Sequence, residues 1–245
     1  MSLGRRVPHL RGSERKAPLE SIDALNREVV ACRRCARLVR WRERVAREKV
    51  RRFAHEEYWG RPLCGLGDVH ARVLLVGLAP AAHGGNRTGR MFTGDESGNW
   101  LFRALHASGF ANQPDSASAS DGLLLSDCYI TATCRCAPPK NKLLPQEIRN
   151  CRRFLLREIE LLTRVRVVVG LGRIGFENAL AAFRELGRIE YARRPAFAHA
   201  ARYRLGDLTF IASYHPSQQN TFTGKLTPAM LLRVFRDARR EITRR

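Results

Sequence analysis

Four short apolar runs, with helical patterns between and after them, organise this chain. VLLVGL at 73–78, LLLSDCYIT at 123–131, RVVVGL at 166–171 and LTFIAS at 208–213 are rich in β-branched and aliphatic residues. Each is too short for a buried helix and predicts a strand. NWLFRALHASGF near 99–110, PQEIRNCRRFLLREIELL from 145, RIGFENALAAFREL from 173 and TPAMLLRVFRDARREI from 227 repeat their apolar positions every three or four residues and predict amphipathic helices. Pro145 suits a first helical residue, where its missing N–H has no partner to lose. From Ile22 to about Arg52, Leu, Val and Trp recur at helical spacing among many arginines and predict one or two further helices.

Strands that alternate with helices imply a mostly parallel sheet with right-handed crossovers and helices on both faces. The expected fold is therefore α/β, a three-layer α/β/α sandwich around a four-stranded, mostly parallel sheet. Ligands of such sheets bind beyond the carboxyl ends of the strands, which here read GLAPAAHGG, TATCRC, GLGRIG and SYHPSQQN. QPDSASASDG at 113–122 reads as a flexible surface loop. The expected organisation is a flexible basic arm over 1–20 and one domain over 21–245 that begins with the helical element. The arm carries Arg5, Arg6 and Arg11 and lacks the apolar core of a secretory signal, so a cytoplasmic protein is expected. No apolar run approaches the ~18 residues of a membrane span.

Charge narrows the class of partner. Lys and Arg number 44 against 23 Asp and Glu, a net charge of +21. An excess of that size repels itself, and a polyanion relieves it, so nucleic acid is the expected partner. All but Lys16, Lys49, Lys140, Lys142 and Lys225 of these basic residues are arginine, whose fork suits phosphate.

Seven cysteines in a chain expected to stay reduced point to metal binding or burial. Cys32 and Cys35 form a C-x-x-C, and Cys136 and Cys151 stand fifteen positions apart. Four converging thiolates would suit zinc or an iron-sulfur cluster; four unrelated buried thiols is the alternative. Cys64, Cys128 and Cys134 are left over. Cys128 reads as a core residue, and Cys134, two positions from Cys136, competes as a ligand.

Three strand ends carry candidate chemistry. GLGRIG at 170–175 matches a dinucleotide fingerprint with Glu190 downstream, but it follows the third apolar run rather than the first, and a tight strand-to-helix turn wants glycine regardless. Arg173 at that helix start could meet a phosphate instead. His215 stands just past the last strand, with Pro216 to stiffen the turn. In the first turn Asp95 is the only carboxylate before Glu96; it either takes part in chemistry or caps the helix starting near Ser97. Arg87 and Arg90 would attract phosphates there, and Phe92 would stack on a base.

GLAPAAHGGNRTGRMFTGD, CRCAPPKNKLLPQEIRNC, HPSQQNTFTGKLTP, YWGRPLCGLGD and the early C-x-x-C, in that arrangement over roughly 30–240, resemble the uracil-DNA glycosylase superfamily, specifically its family 5 or type B. The resemblance implies a monofunctional repair enzyme that cleaves the N-glycosidic bond of uracil, and of other deaminated bases such as hypoxanthine, in double-stranded DNA. It also implies a 4Fe-4S cluster on Cys32, Cys35, Cys136 and Cys151. Other families of the superfamily carry an acidic residue in the motif aligned with Gly77–Ala81; Leu78 and Ala79 stand there, and Ala132 replaces an asparagine that reads uracil elsewhere. Specificity should therefore be looser.

Cleavage passes through an oxocarbenium-like sugar and an anionic base, so electrostatics can carry much of it. On this reading His215 steadies the departing base and Asp95 orients water or balances the sugar. Gly77, Leu78, Ala79, Pro80 and Ala81 line the base pocket with Asn220, and Phe92 stacks on the flipped base. Arg87, Arg90, Ser217 and Asn220 contact the strand around the gap. The enzyme is expected to act as a monomer. A non-catalytic iron-sulfur protein that binds DNA is the rival reading.

Overall fold

A computed structural model describes residues 21–243, so the arm with Arg5, Arg6 and Arg11 lies outside the described residues. Its strands are β1 (Leu66–Gly67), β2 (Val73–Gly77), β3 (Cys128–Ala132), β4 (Val167–Leu171), β5 (Arg202–Leu205) and β6 (Leu208–Ser213). They form one sheet in the order β1-β3-β2-β4-β6-β5. β2 pairs in parallel with β3 and β4, and β4 with β6. The sheet is wider than the four strands expected, because short β1 and β5 add antiparallel edges.

The helices are α1 (Ile22–Ala31), α2 (Ala36–Glu48), α3 (Gly85–Thr88), α4 (Glu96–His106), α5 (Pro145–Leu161), α6 (Arg173–Glu185), α7 (Gln218–Phe222) and α8 (Pro228–Thr243). Every residue of the four parallel strands is buried, which is why they read as unbroken apolar runs. Side chains alternate between faces. Val73, Leu75, Val169 and Ile211 meet Leu101 and Phe102 of α4 and Leu231 and Phe235 of α8. Leu74, Val76, Val168 and Phe210 meet Leu155 of α5 and Phe176 and Phe183 of α6. The result is the three-layer arrangement, each large buried side chain contributing about 1.5–3 kcal/mol.

The second apolar run begins its strand later than expected. Asp127 adopts φ 61, a left-handed turn, and its carboxylate takes the Arg72 guanidinium and backbone N–H. The preceding Leu123 and Leu125 are buried, but of the two only Leu125 bridges Ala111. The loop over 113–122 carries its own hydrogen bonds: Asp121 accepts the N–H groups of Ala117 and Leu123 at 2.8 and 3.0 Å and the guanidinium of Arg90 at 2.6 Å.

The glycines of GLGRIG are explained by packing. A Cβ on Gly170 would collide with the backbone of Phe176, and one on Gly175 with the Val76 carbonyl oxygen. Gly172 turns the chain at φ 83 and spends its N–H on Ser213 O at 2.7 Å. Close approach of α6 to β2 and β4 therefore accounts for the motif without a bound pyrophosphate.

Candidate active site

The turn after β2 is pinned to the segment after β3. Thr133 and Cys134 donate backbone N–H groups to Gly77 O at 2.9 Å and Leu78 O at 3.0 Å, and Asn86 N–H reaches Ala81 O at 3.0 Å. Over this turn opens a small cavity of about 40 Å³. Gly77 to Ala81 form one wall with Ala132, while Met91, Phe92, Asp95, Ser97 and His215 close the rest.

Two rings sit side by side there because two glycines make room. Phe92 and His215 stack with centroids 5.8 Å apart and planes 30° apart. A Cβ on Gly77 would stand 3.1 Å from Phe92 Cζ, and one on Gly172 would stand 3.3 Å from His215 Cβ. Phe92 itself holds φ 53, a left-handed conformation rarely taken by an aromatic residue, and such strain collects at functional sites. Burial alone pushes the His215 pKa down to about 4, so its imidazole is neutral at pH 7.

Asp95 serves two roles at once. Its Oδ1 accepts the Gly98 N–H at 3.0 Å and caps α4, and its carboxylate lines the cavity. Burial raises its pKa, opposed by hydrogen bonds from Gly98 and Ser97 and by the charge of Arg87.

A second constellation lies beside the carboxyl end of β3. Cys32 ends α1, Cys35 precedes α2, Cys134 and Cys136 follow β3, and Cys151 lies on α5; all five join one apolar cluster with Leu25, Leu38 and Phe154. They surround a small cavity of about 20 Å³. Three N–H groups point at sulfur: Arg42 to Cys136 at 2.9 Å, the Arg135 backbone to Cys151 at 3.3 Å and Asn150 to Cys35 at 3.4 Å. Arg42 is 2% exposed, its other bond goes to Cys32 O, and its Nε has no partner. A buried guanidinium without a carboxylate calls for an anion nearby. Among the described residues no three His, Cys, Asp or Glu side chains are gathered closely enough for a metal ion. Cys64 donates to Asn26 O at 3.7 Å, and Cys128 is core.

The family model of the uracil DNA glycosylase superfamily matches residues 64–239, a stretch that holds the whole base cavity. The chain belongs to that superfamily. Among its relatives, the type-5 uracil-DNA glycosylase of Thermus thermophilus is 50% identical over 219 residues, 89% of this chain and 97% of the relative. That of Mycobacterium leprae is 48% identical over 222 residues, 90% and 95% of the two chains. That of Pyrobaculum aerophilum is 46% identical over 216 residues, 88% and 91%. Family 5 is thus the branch to which this superfamily member belongs.

In this superfamily member the two arginines expected to hold phosphate are already engaged. Arg87 is 8% exposed, pairs with Glu56, donates to His83 O at 2.8 Å and Gly94 O at 2.9 Å, and lies 3.7 Å from the centre of the Phe53 ring. Arg90 pairs with Asp121 and donates to Ser116 Oγ at 2.8 Å and Thr93 Oγ1 at 2.9 Å. Both brace the loop from inside, and their carboxylate partners come from distant segments. Asn220 also turns away from the cavity, donating to His215 O at 2.8 Å, so it holds the histidine loop rather than lining the base pocket. Ser217 stands half-exposed at the start of α7 with no side-chain cap bond. The structure adds Met91, Ser97 and Gly172 to the site. Only Gly172 had a sequence signal, and it pointed to a dinucleotide. Among the described residues no helix is long and apolar enough to cross a membrane.

Proposed function

We propose that this chain, a uracil-DNA glycosylase, hydrolyses the N-glycosidic bond of uracil in double-stranded DNA and accepts hypoxanthine and other deaminated bases. The base is flipped into the cavity beside Phe92. The observation that carries this reading is the convergence of Asp95, Phe92 and His215 on one small cavity at the strand ends. As the C1′–N bond breaks, the base leaves with the electron pair and the sugar becomes cationic. Ionised Asp95 balances the sugar and takes a proton from the water that adds to C1′. Neutral His215 donates a hydrogen bond to the anionic base, and Phe92 supplies a stacking face. An apolar wall at Leu78, Ala79 and Ala132 reads few base edges, which supports loose specificity.

Cys32, Cys35, Cys136 and Cys151 would hold a 4Fe-4S cluster, which when bound ties α1, α2 and α5 to β3. The four thiols lining one apolar cavity, the three N–H groups aimed at sulfur and the unpaired charge of Arg42 support it. The enzyme works as a monomer in the cytoplasm.

The test is single-turnover incubation with a uracil-containing duplex, scored for free base and for strand nicks. Free uracil without nicking is expected, with loss in His215→Ala protein that still binds DNA. Salt-steep binding with no base released from any lesion would favour the non-catalytic reading.

A further inference from the structure

Much of the positive charge lies away from the base cavity. Arg87 and Arg90 are neutralised by Glu56 and Asp121, whereas Arg27, Arg47 and Arg61 are exposed and form no ion pair among the described residues. Those three guanidiniums line one groove of about 840 Å³ between α1, α2 and the segment that starts at Trp59.

Trp59 gives the groove an aromatic platform. It is 39% exposed, yet it is not loose: its backbone N–H bonds Arg87 O at 2.9 Å, and its indole N–H bonds Pro62 O at 3.1 Å. The ring rests on Gly89, where a Cβ would stand 3.2 Å away. Arg61 lies 5.5 Å from the ring centre. Gly60 N–H to Asn86 O at 3.0 Å ties this platform to the loop that also carries the cavity wall. A rigid half-exposed indole among unpaired arginines is the chemistry that holds unpaired nucleotides: bases stack on the ring and phosphates meet the forks.

We propose that this groove binds a single-stranded stretch of DNA, with one unpaired base stacked on Trp59 and the flanking phosphates on Arg27, Arg47 and Arg61. The choice of DNA over RNA rests on the glycosylase reading; the groove chemistry does not. A base stacked between its neighbours inside a duplex cannot offer its face to an indole, so the platform favours single strands over duplex. An acidic peptide would satisfy the arginines but leave the ring without a partner.

The test uses the full chain and a labelled eight-residue oligothymidylate, which contains no uracil and so reports the groove independently of cleavage. Anisotropy titrations across a salt series should give a log–log slope of about −2 for three phosphate contacts. In the Arg47→Ser/Arg61→Ser double variant the slope should fall to about −0.7. Trp59→Leu should weaken binding roughly tenfold, with Trp59→Phe recovering most of it. The matching oligouridylate separates DNA from RNA, and a blunt thymidylate–adenylate duplex separates strand from duplex. The proposal is overturned if the arginine pair leaves oligothymidylate affinity unchanged, if the duplex loses as much as the single strand, or if polyglutamate competes as well as oligothymidylate. Uracil release from a blunt duplex is measured alongside. Absent release with intact oligothymidylate binding would sink the glycosidic reading and leave the groove standing.

Discussion

Gly84→Ala is the sharpest probe of Asp95. A Cβ built on Gly84 overlaps Oδ2 of Asp95 and stands 2.7 Å from its Cγ. Carbon atoms rest about 3.5–4.0 Å apart, so the carboxylate must retreat by about 1 Å. That movement has two separable effects. The Gly98 N–H at 3.0 Å loses its acceptor, which costs about 1 kcal/mol and about 2–4 °C in Tm for a chain this size. A catalytic group displaced by about 1 Å loses about 100-fold in rate. Differential scanning calorimetry reads the first effect, and single-turnover release of uracil from a duplex reads the second. Asp95→Asn divides them further, because asparagine caps a helix as well as aspartate but carries no charge. It should unfold like the parent yet release base at least 100-fold more slowly. If Gly84→Ala and Asp95→Asn both release uracil at the parental rate while only the former is destabilised, Asp95 is a cap and nothing more.

The same residue sets a pH sign. Burial raises its folded pKa above the unfolded value, so the native state holds the proton more tightly. Its contribution to stability is fully present below the ordinary carboxylate range and is lost as pH rises through the folded pKa. Activity runs the other way, rising as Asp95 ionises.

His215 titrates at about 4 in the folded state, so the acid limb of activity should not carry a group near 6.5; a pH–rate profile that breaks there, and loses the break in His215→Gln, contradicts the neutral imidazole. Because that pKa is depressed, the His215 contribution to stability is full above about 6.5 and disappears as pH falls toward 4, which denaturant titration at several pH values can follow. Glu158→Gln strands Arg135, whose guanidinium is buried at 1% exposure, and should cost about 3–5 kcal/mol by urea unfolding, whereas Arg135→Met with Glu158→Leu should cost less. Cys136→Ala should abolish bound iron and acid-labile sulfide in the purified protein, and Cys64→Ala should leave both at the parental level.

The parallel core was legible because strands buried on both faces leave long apolar words in the sequence, and such words need no knowledge of partners. The edges were not. Leu66–Gly67 is two residues long, and Arg202–Leu205 alternates exposed arginine with half-buried residues, so neither stands out from a loop. Asp95, Phe92 and His215 were legible as candidates because each stands in a segment leaving a strand end. The fate of Arg87 and Arg90 was illegible, since each finds its carboxylate 31 residues away, and local sequence reports a charge without its partner. Gly172 was visible but misleading: the same residue that fits a cofactor fingerprint clears space for a histidine from the turn after β6.

The apolar first turn changes where charge has to come from rather than whether the reaction can run. Separating an anionic base from a cationic sugar inside a dry cavity is unfavourable until fixed groups face each fragment. On the proposed assignment Asp95 faces the sugar. A unit charge about 4 Å from the sugar, at an effective dielectric of about 20, contributes about 4 kcal/mol, or roughly a thousandfold in rate. Burial raises the pKa of that carboxylate, and the charge of Arg87 and the backbone N–H groups of Ser97 and Gly98 at the start of α4 oppose the rise. Arg87 is itself neutralised by Glu56, so removing Glu56 should leave more positive charge beside Asp95. Glu56→Gln is then expected to lower the pKa of Asp95 and shift the rising limb of the pH–rate profile toward acid. A shift toward alkali would place the governing carboxylate elsewhere.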